Sequence, residues 1–124
     1  MGNQHIGIGV DIVSIAKFNM YGKSNMRVWL NKVYTDKEQK HCISKRFPAQ
    51  HFAVRYAAKQ AIVKALTTLG ITGIIYREIE ITNNHSRVPK VIIYSNKLQN
   101  YKIEISLSHD ETKAIAMALV LKGE

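Results

Sequence analysis

The stretch YAAKQAIVKAL, residues Tyr56–Leu66, decides the fold. With Val54 upstream, Ala58, Ala61, Ile62 and Ala65 occupy the i, i+4, i+7, i+8 and i+11 rows of one helical face. That pattern predicts a long central helix from about Gln50 to Leu69, buried along one side by a second layer. The same stretch carries Lys59, Gln60 and Lys64, which packing alone does not need. Gln60 and Lys64 share a face with Phe52 and Tyr56, while Lys59 lies about 100° round the axis from Gln60. One edge of the helix is therefore expected to offer Lys59, Gln60 and Lys64 to a single anion.

Upstream, HIGIGVDIV alternates Ile6, Ile8, Val10 and Ile12 with Gly7, Gly9, Asp11 and Val13, the period of a strand. Asp11 thus shares a face with two glycines. Residues 14–30 read as a helix with Ile15, Phe18, Met26 and Trp29 on its apolar side, interrupted near Gly22. In TDKE, Thr35 and Glu38 have the spacing of a capping box, and Pro48 ends or offsets the helix that follows. Beyond Gly70 and Gly73 the period changes to short strands, REIEIT, KVIIY and KIEISLS, with turns at Asn83-Asn84 and near Pro89. The last stretch, AIAMALVL, is apolar on both faces and reads as a central strand. A strand, then helices, then an antiparallel meander gives an α+β fold, an antiparallel sheet packed against the central helix, in one domain over residues 1–124.

A chain of 124 residues buries about two thirds of its unfolded surface and needs no covalent staple. Cys42 is the only cysteine, so an intrachain disulfide and the spacings of zinc sites are excluded. No apolar run is long enough to cross a bilayer, and the N-terminus lacks the order of a signal peptide, so a cytoplasmic protein without membrane contact is expected. The formal charge of +9 draws anionic partners, and the basic residues lie mainly between Lys17 and Lys64. Nucleic acid ranks last among them, because neither a stacking platform nor a helix-turn-helix pattern is present.

Three stretches in order, GIGVDIV, FAVRYAAKQAIVKAL and ISLSHDETKAIAMALV, resemble the holo-acyl-carrier-protein synthases, small 4'-phosphopantetheinyl transferases. VYTDKEQ adds a fourth, similar to the family's Leu-Thr-x-x-Glu element with Tyr34 in place of Leu. The resemblance implies that a serine hydroxyl of an acidic acyl carrier protein attacks the β-phosphorus of coenzyme A, takes its phosphopantetheine arm and releases 3',5'-ADP. It implies Mg2+ and a homotrimer. Residue by residue, it implies that Asp11 binds the metal and that Lys59 and Lys64 meet the coenzyme A phosphates. His109 would stand close to the site, and Lys17, Lys23 and Arg27 would face the carrier protein. Read from the residues alone, Asp11 is a helix N-cap and His109 closes the end of a core strand; with the motifs, the metal reading of Asp11 is preferred, its two glycine neighbours leaving room for a ligand.

The sequence departs from the family at two points. Where the family has Lys-Glu-Ala, with a metal-binding glutamate, this chain has Gln60, whose amide oxygen can ligate Mg2+ but carries no charge and takes no proton. Either Asp11, substrate phosphates and water complete the metal shell, or Glu38 or Asp110 substitutes, or activity is reduced and the chain binds coenzyme A or carrier protein without efficient turnover. The family's Gly-Thr-Gly turn after the helix is here LTTLGI, longer and with fewer glycines.

Overall fold

The computed structural model describes residues 5–83 and 86–123. In chain order these form β1 (Ile6–Ser14), a 3₁₀ turn (Ile15–Phe18), α1 (Ser24–Val33), α2 (Asp36–Ile43), α3 (Pro48–Thr68), β2 (Ile79–Asn83), β3 (Pro89–Ile93), β4 (Tyr101–His109) and β5 (Lys113–Lys122). The helix expected over residues 14–30 is two pieces: the 3₁₀ turn, and then α1, which starts beyond Gly22 and runs on to Val33. The capping box is formed, Thr35 Oγ1 accepting from the Glu38 N–H at 3.1 Å and Glu38 Oε1 from the Thr35 N–H at 3.0 Å. Pro48 opens α3 at its first turn, where its missing N–H costs nothing.

The downstream strands do not form one meander. β5 is central, flanked by β1 and β4 and antiparallel to both, while β2 and β3 pair as a separate two-stranded sheet. Between β3 and β4 the chain makes a 3₁₀ turn over Asn96–Leu98, with Ser95 Oγ accepting from the Lys97 N–H at 3.3 Å. That detour removes the tight hairpin a meander needs. Asn84, half of the expected turn after β2, lies outside the described residues. No described helix is long and apolar enough to cross a membrane.

α3 lies across the three-stranded sheet, its Ala58, Ala61, Ile62, Ala65 and Leu66 packed on Ala116, Ala118 and Val120 of β5. Small residues on both sides bring the backbones close. A Cβ added at Gly9 would sit 1.9 Å from the Ala61 carbonyl oxygen, and one at Gly7 would sit 2.2 Å from that of Ala65. The glycine face of β1 is therefore filled by the helix backbone; it is not room for a ligand. Gly9→Ala is expected to push α3 off the strand at a cost of about 1–3 kcal/mol, seen as a lower urea midpoint at unchanged slope.

Among the described residues nothing layers the opposite face of β1 in the single chain. Ile6, Ile8, Val10 and Ile12 are each more than half exposed, and Ile115 and Met117 of β5 continue the aliphatic surface across the ladder. α3 ends in a Schellman arrangement, the Ile71 N–H donating to the Leu66 carbonyl and the Gly70 N–H to that of Thr67, with Gly70 at φ +82°. LTTLGI thus works as a helix stop.

Lys59 does not face the cleft edge. Fully buried, it donates to Glu38 Oε1 at 2.6 Å, to the Val33 carbonyl at 2.6 Å and to the Tyr76 carbonyl at 3.0 Å. The 100° that separates it from Gln60 turns it toward α1 and α2, where a buried cation needs the Glu38 carboxylate. Burial lowers its pKa and Glu38 opposes the shift. The expectation that Lys59 meets coenzyme A phosphates is therefore overturned. Cys42 is also fully buried, its thiol pushed up to about 12 chiefly by burial, and so is unreactive.

Candidate active site

Two positions beyond Gly9, the inward face of β1 presents Asp11 at the flank of α3, opposite the helix positions Tyr56, Gln60 and Lys64. Lys64 Nζ donates to Asp11 Oδ1 at 2.9 Å and to the Val10 carbonyl at 3.1 Å, so the helix fixes one carboxylate oxygen. The other, Oδ2, is buried and has no hydrogen-bond partner among the described residues. Asp11 lies inside β1, so it is not a helix N-cap. It opens onto a cleft of about 420 Å³ lined also by Ser14, Lys17, Tyr56, Gln60 and Lys113.

Gln60 reaches this cleft, but its Oε1 accepts a hydrogen bond from the Tyr76 hydroxyl. Burial, Tyr56 and Asp11 all raise the Tyr76 pKa, so the phenol stays a donor at neutral pH. Glu38 is no substitute carboxylate: it is spent on Lys59, the Thr35 N–H and the Ile81 N–H, 2.9 Å from its Oε2. Nor is Asp110, whose Oδ1 accepts from the Thr112 and Lys113 N–H groups at 2.8 Å each in the β4–β5 turn. Those backbone bonds hold its carboxyl below the usual range. Among the described residues no cluster of three His, Cys, Asp or Glu side chains is set to hold a metal by itself. The orphaned Asp11 Oδ2 fits one charged contact to Mg2+, with the remaining oxygens left to substrate and water.

His109 is not part of this cleft. β5 separates β4 from β1, with His109 opposite Ala114 and Asp11 opposite Ala116. The imidazole lies on the other side of α3, its Nε2 3.1 Å from Gln50 Nε2, and it lines a second hollow of about 400 Å³ with His51, Arg55 and Arg87. His51 is pushed down to about 4 by burial first and then by Arg55, His41, Lys45 and His109. Because the unfolded chain takes up this proton near 6.5 and the folded chain only near 4, stability falls as pH drops through that window. Thermal melts from pH 7 to 4.5 should show the decline, and His51→Gln should flatten part of it.

Lys17 lines the Asp11 cleft, whereas Lys23 and Arg27 stand exposed at the start of α1, Arg27 beside a groove with Tyr21, Leu30 and Ile43. One lining residue, Lys113, and one residue that touches the cleft wall, Tyr76, escape the sequence reading. Lys113 comes into the cleft because β5 pairs with β1 at Ser14, and Tyr76 reaches Gln60 across a loop. Neither contact has a local sequence signal.

The fold and its motifs recur in known proteins. The model of the 4'-phosphopantetheinyl transferase superfamily matches residues 7–120. A holo-[acyl-carrier-protein] synthase of Chlorobaculum parvum is 41% identical over 113 residues, covering 91% of this chain and 96% of the relative. One from Geotalea daltonii is 37% identical over 122 residues, covering 94% and 98%. The crystal structure of Helicobacter pylori holo-[acyl-carrier-protein] synthase in complex with coenzyme A superposes with a TM-score of 0.77 at 30% identity, over 91% of this chain and 98% of that one. With matches that run nearly end to end over an α3 laid on a glycine-bearing β1, this chain belongs to the 4'-phosphopantetheinyl transferase superfamily, among its holo-[acyl-carrier-protein] synthases.

Proposed function

We propose that this chain transfers the 4'-phosphopantetheine arm of coenzyme A to a serine hydroxyl of an apo acyl carrier protein, releasing 3',5'-ADP, at a site shared between neighbouring copies. The observation that carries the reading is the Asp11 carboxylate, one oxygen held by Lys64 and the other buried and unpartnered in a cleft that Lys17 and Lys113 line. Lys64 aims Asp11, and the lysines round the cleft draw the polyanionic substrate. Asp11 would hold Mg2+, which when bound supplies charge neutralisation for the departing phosphate. Gln60 is an amide and Tyr56 and Tyr76 are phenols whose pKa values burial raises, so none of these three takes the serine proton.

Sharing between copies is supported by two features. The unlayered aliphatic face of β1 and β5 calls for a covering surface, and His109 stands on the far side of α3 from Asp11. In a homotrimer, His109 and the basic hollow of one copy serve the Asp11 cleft of the next. Lys17, Lys23 and Arg27 receive the acidic carrier protein, in the cytoplasm, where fatty-acid synthesis uses it. Incubation with coenzyme A, Mg2+ and apo carrier protein should add the phosphopantetheine mass to the carrier. No increment over a long incubation rejects catalysis. Bound coenzyme A without an increment would instead favour the second reading, a binding protein with weakened turnover, for which the engagement of Gln60 Oε1 by Tyr76 speaks.

A further inference from the structure

Lys59 and Gln60, neighbours on α3, both hold Tyr76. Lys59 Nζ donates to its carbonyl at 3.0 Å, and the Tyr76 hydroxyl donates to Gln60 Oε1. The Tyr76 ring leans on Tyr56, 6.0 Å between centroids, and Tyr56 lines the Asp11 cleft with Gln60. The loop that brings Tyr76 here is pinned by Lys59, itself locked to Glu38 at 2.6 Å. A planar amide whose oxygen accepts from a fixed donor has its NH2 end turned away from that donor. The negative field of Asp11 in the same cleft favours that N–H end and disfavours the oxygen.

We propose that Tyr76 is a positioning residue that locks Gln60 with its amide NH2 in the cleft, as a hydrogen-bond donor to an anionic phosphate oxygen of the substrate. Gln60 then binds coenzyme A directly and Asp11 alone supplies protein charge to the metal. The inference rests on the reading of this cleft as the coenzyme A site. Chemically, a fixed N–H donor aimed at a phosphate oxygen stabilises the charge that grows there as the bond to the arm breaks. That role suits an uncharged side chain beside a carboxylate better than a second anion would when metal is absent.

The test is a double-mutant cycle read by calorimetry, titrating metal-free protein with coenzyme A and, separately, with MgCl2. Tyr76→Phe keeps the ring and its packing, and Gln60→Met keeps the volume but has no donor. Gln60→Met should weaken metal-free coenzyme A binding about tenfold, the scale of a hydrogen bond to a charged group, and Tyr76→Phe should weaken it several-fold. The double variant should bind no more weakly than Gln60→Met, because Tyr76 acts only through Gln60. Mg2+ affinity should not change in Tyr76→Phe. Additive losses in the cycle, or tighter Mg2+ binding when Tyr76→Phe frees Gln60 Oε1, would overturn the proposal. Should Tyr76→Phe fail to fold, unchanged coenzyme A binding by Gln60→Met overturns it alone. Parent protein that binds no coenzyme A, or Asp11→Ala that keeps Mg2+ binding, removes the reading of the cleft and this inference with it. If both controls behave, an additive cycle removes only the Tyr76–Gln60 assignment.

Discussion

Asp11→Ala is expected to abolish phosphopantetheine transfer and Mg2+ binding while leaving the fold intact. Among the described residues the carboxylate is the one acidic group on the cleft wall; Glu38 and Asp110 are committed elsewhere. At an effective dielectric of ~20, a unit charge about 4 Å from another is worth on the order of 4 kcal/mol, doubled for a divalent ion before desolvation is subtracted. A surviving third of that, roughly 2.7 kcal/mol, is still about a hundredfold in rate or affinity. The structural cost is small, because Lys64, whose side chain is 56% exposed, returns to water when its partner goes. Asp11→Asn keeps the shape and removes the charge, and should behave like Asp11→Ala. Parental Mg2+ dependence in either variant would remove the metal from this cleft.

The second large effect is a gain. Gln60→Glu should raise Mg2+ affinity and transfer rate by about tenfold, since Mg2+ prefers charged oxygen ligands. The Tyr76 hydroxyl would keep one carboxylate oxygen, as it now keeps Oε1, and leave the other to the cleft. Repulsion between position 60 and Asp11 opposes the gain when metal is absent, and Lys64 offsets part of it. Lys59 gives no such relief, being neutralised by Glu38 in the core. Metal-free coenzyme A binding should weaken in this variant as metal-bound turnover rises. A substitution that changes neither Mg2+ dependence nor rate would place position 60 away from the metal.

Local chemistry was legible in the sequence and long-range partnership was not. The central helix, the Thr35–Glu38 capping box and the central position of β5 each follow from neighbours within a few turns or one apolar run. Asp11, Gln60 and Lys64 do come together, Asp11 and Gln60 lining one cleft and Lys64 holding Asp11 from 53 positions away, a meeting that the family resemblance implies and no local pattern does. Lys59 was misread because periodicity gives its angle on the helix but not what stands there, and its partner Glu38 lies on another helix. The glycines of β1 were misread because an empty Cβ position looks the same whether a ligand or a helix backbone fills it. The two-sheet arrangement turned on the 3₁₀ turn at Asn96–Leu98, too short to show a period. Tyr76 carries no motif and acquires its role only by contact with Gln60.

The central claim is that Asp11 of one copy and His109 of another serve one active site. Co-expressing Asp11→Ala and His109→Ala chains with different tags, and purifying assemblies that carry both, tests it directly through the transfer assay. Each variant alone should be inactive or strongly impaired. If each site in a cyclic trimer draws on two adjacent copies, every mixed trimer, with two copies of one chain and one of the other, has one site with both intact residues and recovers about a third of the parental activity. Mixed assemblies no more active than the average of the two variants would contradict the shared site.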